Sequence, residues 1–280
     1  MTEHAPRMHR PRPPLSAYID YIGYWTRGGA EPHQSRALPR GAATAIIDVG
    51  DREHVDFFAA DAHTLVAVAP AFIAGAGDTS YVTRIEPGQT VMTVHFRPAG
   101  ASAFLGISLG DLVNDCVDLG SIWGRHGHAL RERLTTVPSI SSRITLLEDF
   151  LLARLRPDPP VLAPVLAAVE RRPDMRVSDA AALTGLSPKR LIATFRNEVG
   201  LKPKEYLRIR RLQAALRMLD TNIAGGAGIA NIAGGAGIAA DLGYFDQAHF
   251  IREFRTFTSM TPTQYRQNRD RLPGHVGLAR

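Results

Sequence analysis

Hydrophobic spacing changes character near residue 156. Before it, short apolar or alternating runs predict strands: Ile46–Val49, Val55–Phe58, Leu65–Val68, Tyr81–Ile85 and Val91–Phe96. Turn residues punctuate them at Gly50-Asp51, Pro70, Gly75 to Asp78, Pro87-Gly88 and Pro98. Such spacing suits a sandwich or small barrel. Residues 99–155 read as helical, with Ile140, Ile144, Leu147, Leu151 and Leu155 three or four apart on one face. That stripe fits packing onto its own domain or a dimer seam equally well. Three prolines in Pro157-Asp158-Pro159-Pro160 then block helix and favour extended backbone, so residues 157–160 are expected to be a linker. Beyond them the pattern is helical, including a long stretch over 203–219 that starts on Pro203, a favoured first helical residue. The fold class expected is α+β and multidomain. Residues 1–156 form a β-rich, cupin-like sandwich or barrel with helices at its end, 161–270 an all-α domain, and 271–280 a flexible tail.

A pattern recurs at an offset of 59 residues. Leu191-x3-Phe195-Arg196-x3-Gly200-x2-Pro203-x2-Tyr206 is matched by Phe250-x3-Phe254-Arg255-x3-Ser259-x2-Pro262-x2-Tyr265. Each copy follows a small-residue segment and a glycine turn, at Gly185 and Gly243. Short helix, turn, second helix is a helix-turn-helix arrangement. In the first unit Ser187 is the expected N-cap and Pro188 the first helical residue. Leu191 and Phe195 face inward, while Lys189, Ile192, Ala193 and Arg196 share another face. Cations at its ends and small or apolar groups between suit a major groove, where Arg and Lys donate to guanine and Ile or Ala meets thymine methyls. Arg190 flanks this face and suits phosphate. In the second unit Asp246 is the expected N-cap. Ala248, Ile251, Arg252 and Arg255 take the matching outward positions, and Gln247 and His249 lie in the first turn, where base edges are read.

Charge sharpens this picture. Residues 1–160 hold 15 Arg and no Lys against 17 carboxylates, net −2, and residues 161–280 hold 18 Lys+Arg against 10, net +8. The basic part is the helical part, which points to a polyanion partner, nucleic acid first. Charge alone supplies affinity without specificity. A single cysteine, Cys116, excludes a disulfide framework or multi-cysteine zinc site and fits a reducing cytoplasm. No apolar run approaches about 18 residues, and no apolar segment follows the basic N-terminus, so neither membrane insertion nor export is expected. His54, His63 and His95 lack a His-x-His pair with a partnering Glu among the strands, and His126-Gly-His128 lies outside them, so no metal, cofactor or catalytic residue is assigned. Tyr18, Tyr21, Tyr24 and Trp25 are read chiefly as core, with a pocket wall as the alternative.

These stretches, LSPKRLIATFRNEVGLKPKEYLRIRRLQAAL and IAADLGYFDQAHFIREFRTFTSMTPTQYR, resemble the tandem helix-turn-helix domain of the AraC/XylS transcription regulators. Gly243, Asp246, Phe250, Phe254, Pro262 and Tyr265 stand where that family's signature has them. The resemblance implies seven helices, a rigid linking helix, and two recognition helices entering successive major grooves. HFRPAGASAFLGISLGDLVNDCVDLGSIWG resembles, less specifically, the β-rich regulatory domains of one branch of these proteins. A sequence-specific, non-enzymatic regulator or activator of transcription follows as the expectation, with double-stranded DNA as partner. A small-molecule effector, a homodimer and RNA polymerase are further partners the resemblance suggests. The alternatives are an architectural or effector-independent DNA binder, or a cupin-like metal enzyme fused to a DNA-binding domain.

One feature departs from the family. Asn222–Ala230 (NIAGGAGIA) is repeated without change at Asn231–Ala239, and the pair holds six glycines. Each internal Gly costs a helix about 1 kcal/mol relative to Ala. Residues 221–235 are therefore expected to bulge as a flexible loop before a short, weak helix, without a function of their own.

Overall fold

The computed structural model describes residues 7–28, 30–50, 55–224, 233–269 and 274–278. Among these, ten strands form two antiparallel sheets: β1 (Arg7–His9), β2 (Ile19–Thr26), β3 (His33–Ala37), β4 (Thr44–Asp48), β5 (Asp56–Phe58), β6 (Ala71–Ala74), β7 (Tyr81–Ile85), β8 (Thr90–Phe96), β9 (Cys116–Asp118) and β10 (His275–Gly277). One sheet runs β1-β2-β8-β4-β6-β9 and the other β10-β3-β7-β5.

Period-two alternation decides which side chains meet across the sheets. In β4, Ala45 and Ile47 join Met92, Val94 and Phe96 of β8 on one face, covered by helices. Ile46 points the other way, with Trp25, Phe57, Phe72 and Val91, filling the space between the sheets. The covering helices are α1 (Ser102–Leu105), α2 (Leu119–Trp123), α3 (Arg125–Thr136) and α4 (Ile140–Leu152). Leu147 and Leu151 of α4 are each 1% exposed in that cluster, so the stripe of α4 packs onto its own sheet.

Seven helices follow among the described residues: α5 (Ala163–Arg171), α6 (Val177–Thr184), α7 (Pro188–Val199), α8 (Pro203–Ala224), α9 (Ala233–Asp241), α10 (Gln247–Thr258) and α11 (Pro262–Asn268). The repeated sequence pattern has a packing cause. Tyr206 and Tyr265, three residues into the helices opened by Pro203 and Pro262, are buried against Phe195 and Phe254, with ring centroids 5.6 and 6.0 Å apart. Each proline starts a helix whose tyrosine seals the unit before it. Residues 157–160 carry no regular structure, and Glu198 of α7 accepts from the Val161 and Leu162 amides at 3.0 Å, fixing the chain where α5 begins.

Three expectations are corrected. Leu65–Val68 is not a strand. Leu65 makes an isolated bridge to Phe58, and the ladder passes instead to Ala71–Ala74, beyond Pro70, which has no amide to donate. The tail expected over 271–280 contains β10, because Val276 is fully buried and its backbone completes the free edge of β3. The loop expected over 221–235 is trimmed at both ends, since α8 reaches Ala224 and α9 begins at Ala233. Residues 225–232 of that segment lie outside the described residues. The glycine cost in α9 is offset by burial of Ile238 and Ala239.

The β-rich and helical parts share a core. Leu38, Ala76 and Ala99 belong to the same apolar cluster as the interior of α5–α11. Gln213 of α8 donates to the Pro39 carbonyl at 2.7 Å.

Candidate nucleic-acid interface and an internal cavity

Both second helices of the helix-turn-helix units begin as their sequences require. Ser187 Oγ accepts from the Arg190 amide at 3.4 Å, and Asp246 Oδ1 accepts from the His249 amide at 2.6 Å, each satisfying a backbone donor that the first turn leaves open. The turns before them pass through Gly185 (φ 65°) and Gly243 (φ 68°), left-handed conformations in which a Cβ is strained.

On α7, Lys189, Arg190, Ile192, Ala193 and Arg196 are all exposed, while Leu191 and Phe195 are fully buried. Ile192, at 42% exposure, is an apolar side chain left open among cations. On α10, Ala248, Arg252 and Arg255 are exposed and Gln247 is half-buried. Ile251 leans partly onto the core. His249 turns back: its Nδ1 accepts from the Phe245 amide at 3.3 Å, its ring meets Tyr244 edge-on at 5.4 Å, and Nε2 lies 3.8 Å from Glu253. Sequence reasoning missed Phe245, which is 91% exposed just before the N-cap of α10. A large aromatic two residues after a turn glycine was the available signal.

A second feature lies between the sheets. A cavity of about 320 Å³ is lined by Arg40, Phe57, Ser80, His95 and Cys116, and by His275 of the C-terminal strand. His95 and Thr44 face it because they share strand parity with Val91 and Ile46. Arg40 donates through Nη1 to His95 Nδ1, its Nη2 lies 3.2 Å from Asp20, and the Tyr21 ring stacks on His95 at 4.1 Å. Burial, then the charge of Arg40 and the neighbouring His275, hold the His95 imidazole well below its ordinary pKa and keep it neutral. Burial, with the Asp115 carboxylate, pushes the Cys116 thiol up to about 12, so it is protonated and a poor nucleophile. A smaller adjoining cavity of about 70 Å³ is lined by Tyr21, Tyr24 and Trp25. These aromatics were read chiefly as core, and Trp25 does pack there. Among the described residues, Tyr21 Oη and Trp25 Nε1 are buried without a hydrogen-bond partner. Nothing in the sequence marks Arg40, His95 and His275 as neighbours, because strand pairing alone brings them together.

Among the described residues, no three His, Cys, Asp or Glu side chains converge as a metal site, and no helix is long and apolar enough to cross a membrane.

Residues 180–268 match the family described as a helix-turn-helix domain, and residues 7–118 match a domain family of unknown function, DUF6597. An uncharacterized HTH-type transcriptional regulator from Haemophilus influenzae is 28% identical over 105 residues, which are 37% of this chain and 32% of that protein. The match thus spans about a third of that relative. Among solved structures, ToxT from Vibrio cholerae aligns with a TM-score of 0.46 at 11% identity, over 88% of this chain and 97% of that chain. The AraC-like transcriptional activator CuxR aligns with a TM-score of 0.21 at 15% identity, over 70% and 76%. With two capped units in tandem and the family match over residues 180–268, the chain carries a helix-turn-helix domain behind a β-rich domain.

Proposed function

We propose that this chain is a sequence-specific regulator of transcription whose α7 and α10 enter successive major grooves of duplex DNA, about 10 base pairs apart. Lys189, Ile192, Ala193 and Arg196 read one half-site and Ala248, Ile251, Arg252 and Arg255 the other. Gln247 reads bases from the first turn of α10, and Arg190 holds phosphate. His249, turned toward Glu253, orients the start of α10 in the free protein and reaches DNA by rotating outward. Phe245 adds an apolar contact to sugar or thymine methyl at the same end. The observation that carries this reading is a pair of N-capped helices, each with its aromatic face sealed inward and a basic face open to solvent.

Residues 1–156 act as the sensing or oligomerising part, 161–270 as the DNA-binding part. The cavity is the effector site in this reading. Its wall offers cationic Arg40 beside apolar surface, and the smaller adjoining cavity adds the unpartnered Tyr21 and Trp25 donors, as small-molecule sites do. His275 belongs to the strand that follows α11, so an occupant there touches both parts of the chain and biases how they sit together.

Footprinting with the full chain tests the DNA reading. Arg196→Ala relaxes preference within one half-site and costs about 1–3 kcal/mol of specific binding, and Arg252→Ala does the same in the other. A footprint and affinity unchanged in both variants would contradict the assignment.

A further inference from the structure

The linking helix α8 carries cations on two faces, and they have different fates. Arg210 and Arg217 are committed to Glu170 of α5, by a close ion pair and at 3.9 Å. Lys204, Arg208 and Arg211 follow i, i+4, i+7 spacing on another face. They floor a groove of about 530 Å³ whose walls are Arg176, at the start of α6, and His249 and Glu253 of α10. The groove therefore lies between the two helix-turn-helix units and borders the first turn of α10. Its one carboxylate is Glu253, whose Oε2 accepts from Arg208 Nε at 3.1 Å. Among the described residues, Arg176, Lys204 and Arg211 have no carboxylate within ion-pair distance.

Two guanidiniums are held in place by aromatic rings. Arg208 sits 4.9 Å over Phe257 and Arg211 5.2 Å over Tyr244. They are pre-ordered, so less side-chain entropy is lost when an anion arrives. The β-rich part cannot cover them. It packs on the opposite side of α8, where an added Cβ on Gly41 would lie 3.2 Å from the Tyr206 ring and Gln213 reaches Pro39. With four cations against one carboxylate, like charges repel in the free protein, and a polyanion along the groove relieves that repulsion.

We propose that this groove binds the DNA phosphate backbone where it passes between the two recognised major grooves, with Arg176, Lys204, Arg208 and Arg211 as the phosphate contacts. The proposal rests on the reading that α7 and α10 bind duplex DNA. These contacts supply affinity and fix the spacing of the half-sites, and they carry no base preference.

The test uses the full chain and two duplexes of equal length, one carrying its selected site and one of random sequence. Dissociation constants are measured across a range of KCl concentrations. Each phosphate contact adds about 0.9 to the slope of log affinity against log salt. Arg176→Gln/Lys204→Gln changes two exposed side chains and spares the packed arginines. It lowers the slope by about 2 and weakens both duplexes by the same factor, leaving their ratio unchanged. Arg211→Gln lowers it by about 1. Arg217→Gln, the same charge change on the other face of α8, leaves the slope as it was. An unchanged slope in the first two variants, with the wild type still binding its site, overturns the proposal and spares the DNA reading. A wild type that binds neither duplex overturns both.

Discussion

The two helix-turn-helix units share a repeated pattern with two mismatches, Leu191 for Phe250 and Gly200 for Ser259, and the second is a strain site. Gly200 closes α7 at φ 94°, while its counterpart Ser259 closes α10 at φ 59°. A left-handed conformation costs a residue with a Cβ about 1 kcal/mol or more. Ser259→Gly is expected to stabilise the chain by about 1 kcal/mol, and Gly200→Ser to destabilise it by more, because its Cβ would also meet the Leu109 carbonyl oxygen at 2.8 Å; the two are read as opposite shifts in thermal midpoint. Chemistry inside the cavity makes a second claim at this scale. The imidazole of His95 is depressed, so the folded state binds its proton less well than the unfolded chain. Its contribution is complete above the unfolded pKa, about 6.5, and is lost as pH falls below it. Urea unfolding should show stability dropping below about pH 6.5, with a shallower drop in His95→Gln. Parallel curves would contradict the neutral, buried assignment. At this scale the helical residues were legible, because caps and i, i+4 spacing are local. Arg40 and His95 were not, because 55 positions separate them and only the pairing of β4 with β8 brings their segments together.

At the scale of elements, hydrophobic period served helices better than strands. The long helix was read over 203–219 and runs over Pro203–Ala224, and the boundaries at Pro188 and Gln247 follow from Ser187 and Asp246. Among the strands, Leu65–Val68 has the right composition yet lies beside β5, the edge of its sheet, and gains only one bridge. The neighbouring Ala71–Ala74 has less β-branched character but pairs with both β4 and β9. Tertiary pairing outweighed propensity there. The segment around the duplicated nonapeptide was misread in extent, since α8 reaches Ala224 and α9 begins at Ala233. Removing one copy, residues 223–231, deletes the last two residues of α8 and seven beyond it, and leaves each helix-turn-helix unit its own caps and core. Site affinity should stay within about threefold of wild type, since the entropy of closing a chain segment varies by well under 1 kcal/mol for such a change in length. A loss of binding by two orders of magnitude would assign the duplication a role.

For the whole molecule, the decisive connection is the last strand. The Leu38 amide donates to the Gly274 carbonyl at 2.9 Å and the Leu278 amide to the Gln34 carbonyl at 3.0 Å, on either side of the fully buried Val276. Three residues of strand, more than two hundred positions from their partner, carry no periodic signal, and the polar, glycine-containing end of the chain reads as a tail. Deleting residues 274–280 should strip hydrogen-exchange protection from the Leu38 amide and leave the Phe96 amide, which donates to Ala43, protected. Equal protection of Leu38 in both proteins would contradict the clasp. The charge division was legible from composition alone: the basic part of the sequence is the part that folds as α5–α11.

The proposed function depends on α7 and α10 acting together. The most direct measurement is selection of binding sites by the full chain from a random duplex library. The account predicts enrichment of a bipartite site, two short motifs separated by about one turn of DNA. Enrichment of a single motif, or of no sequence at all from a folded protein, would contradict it.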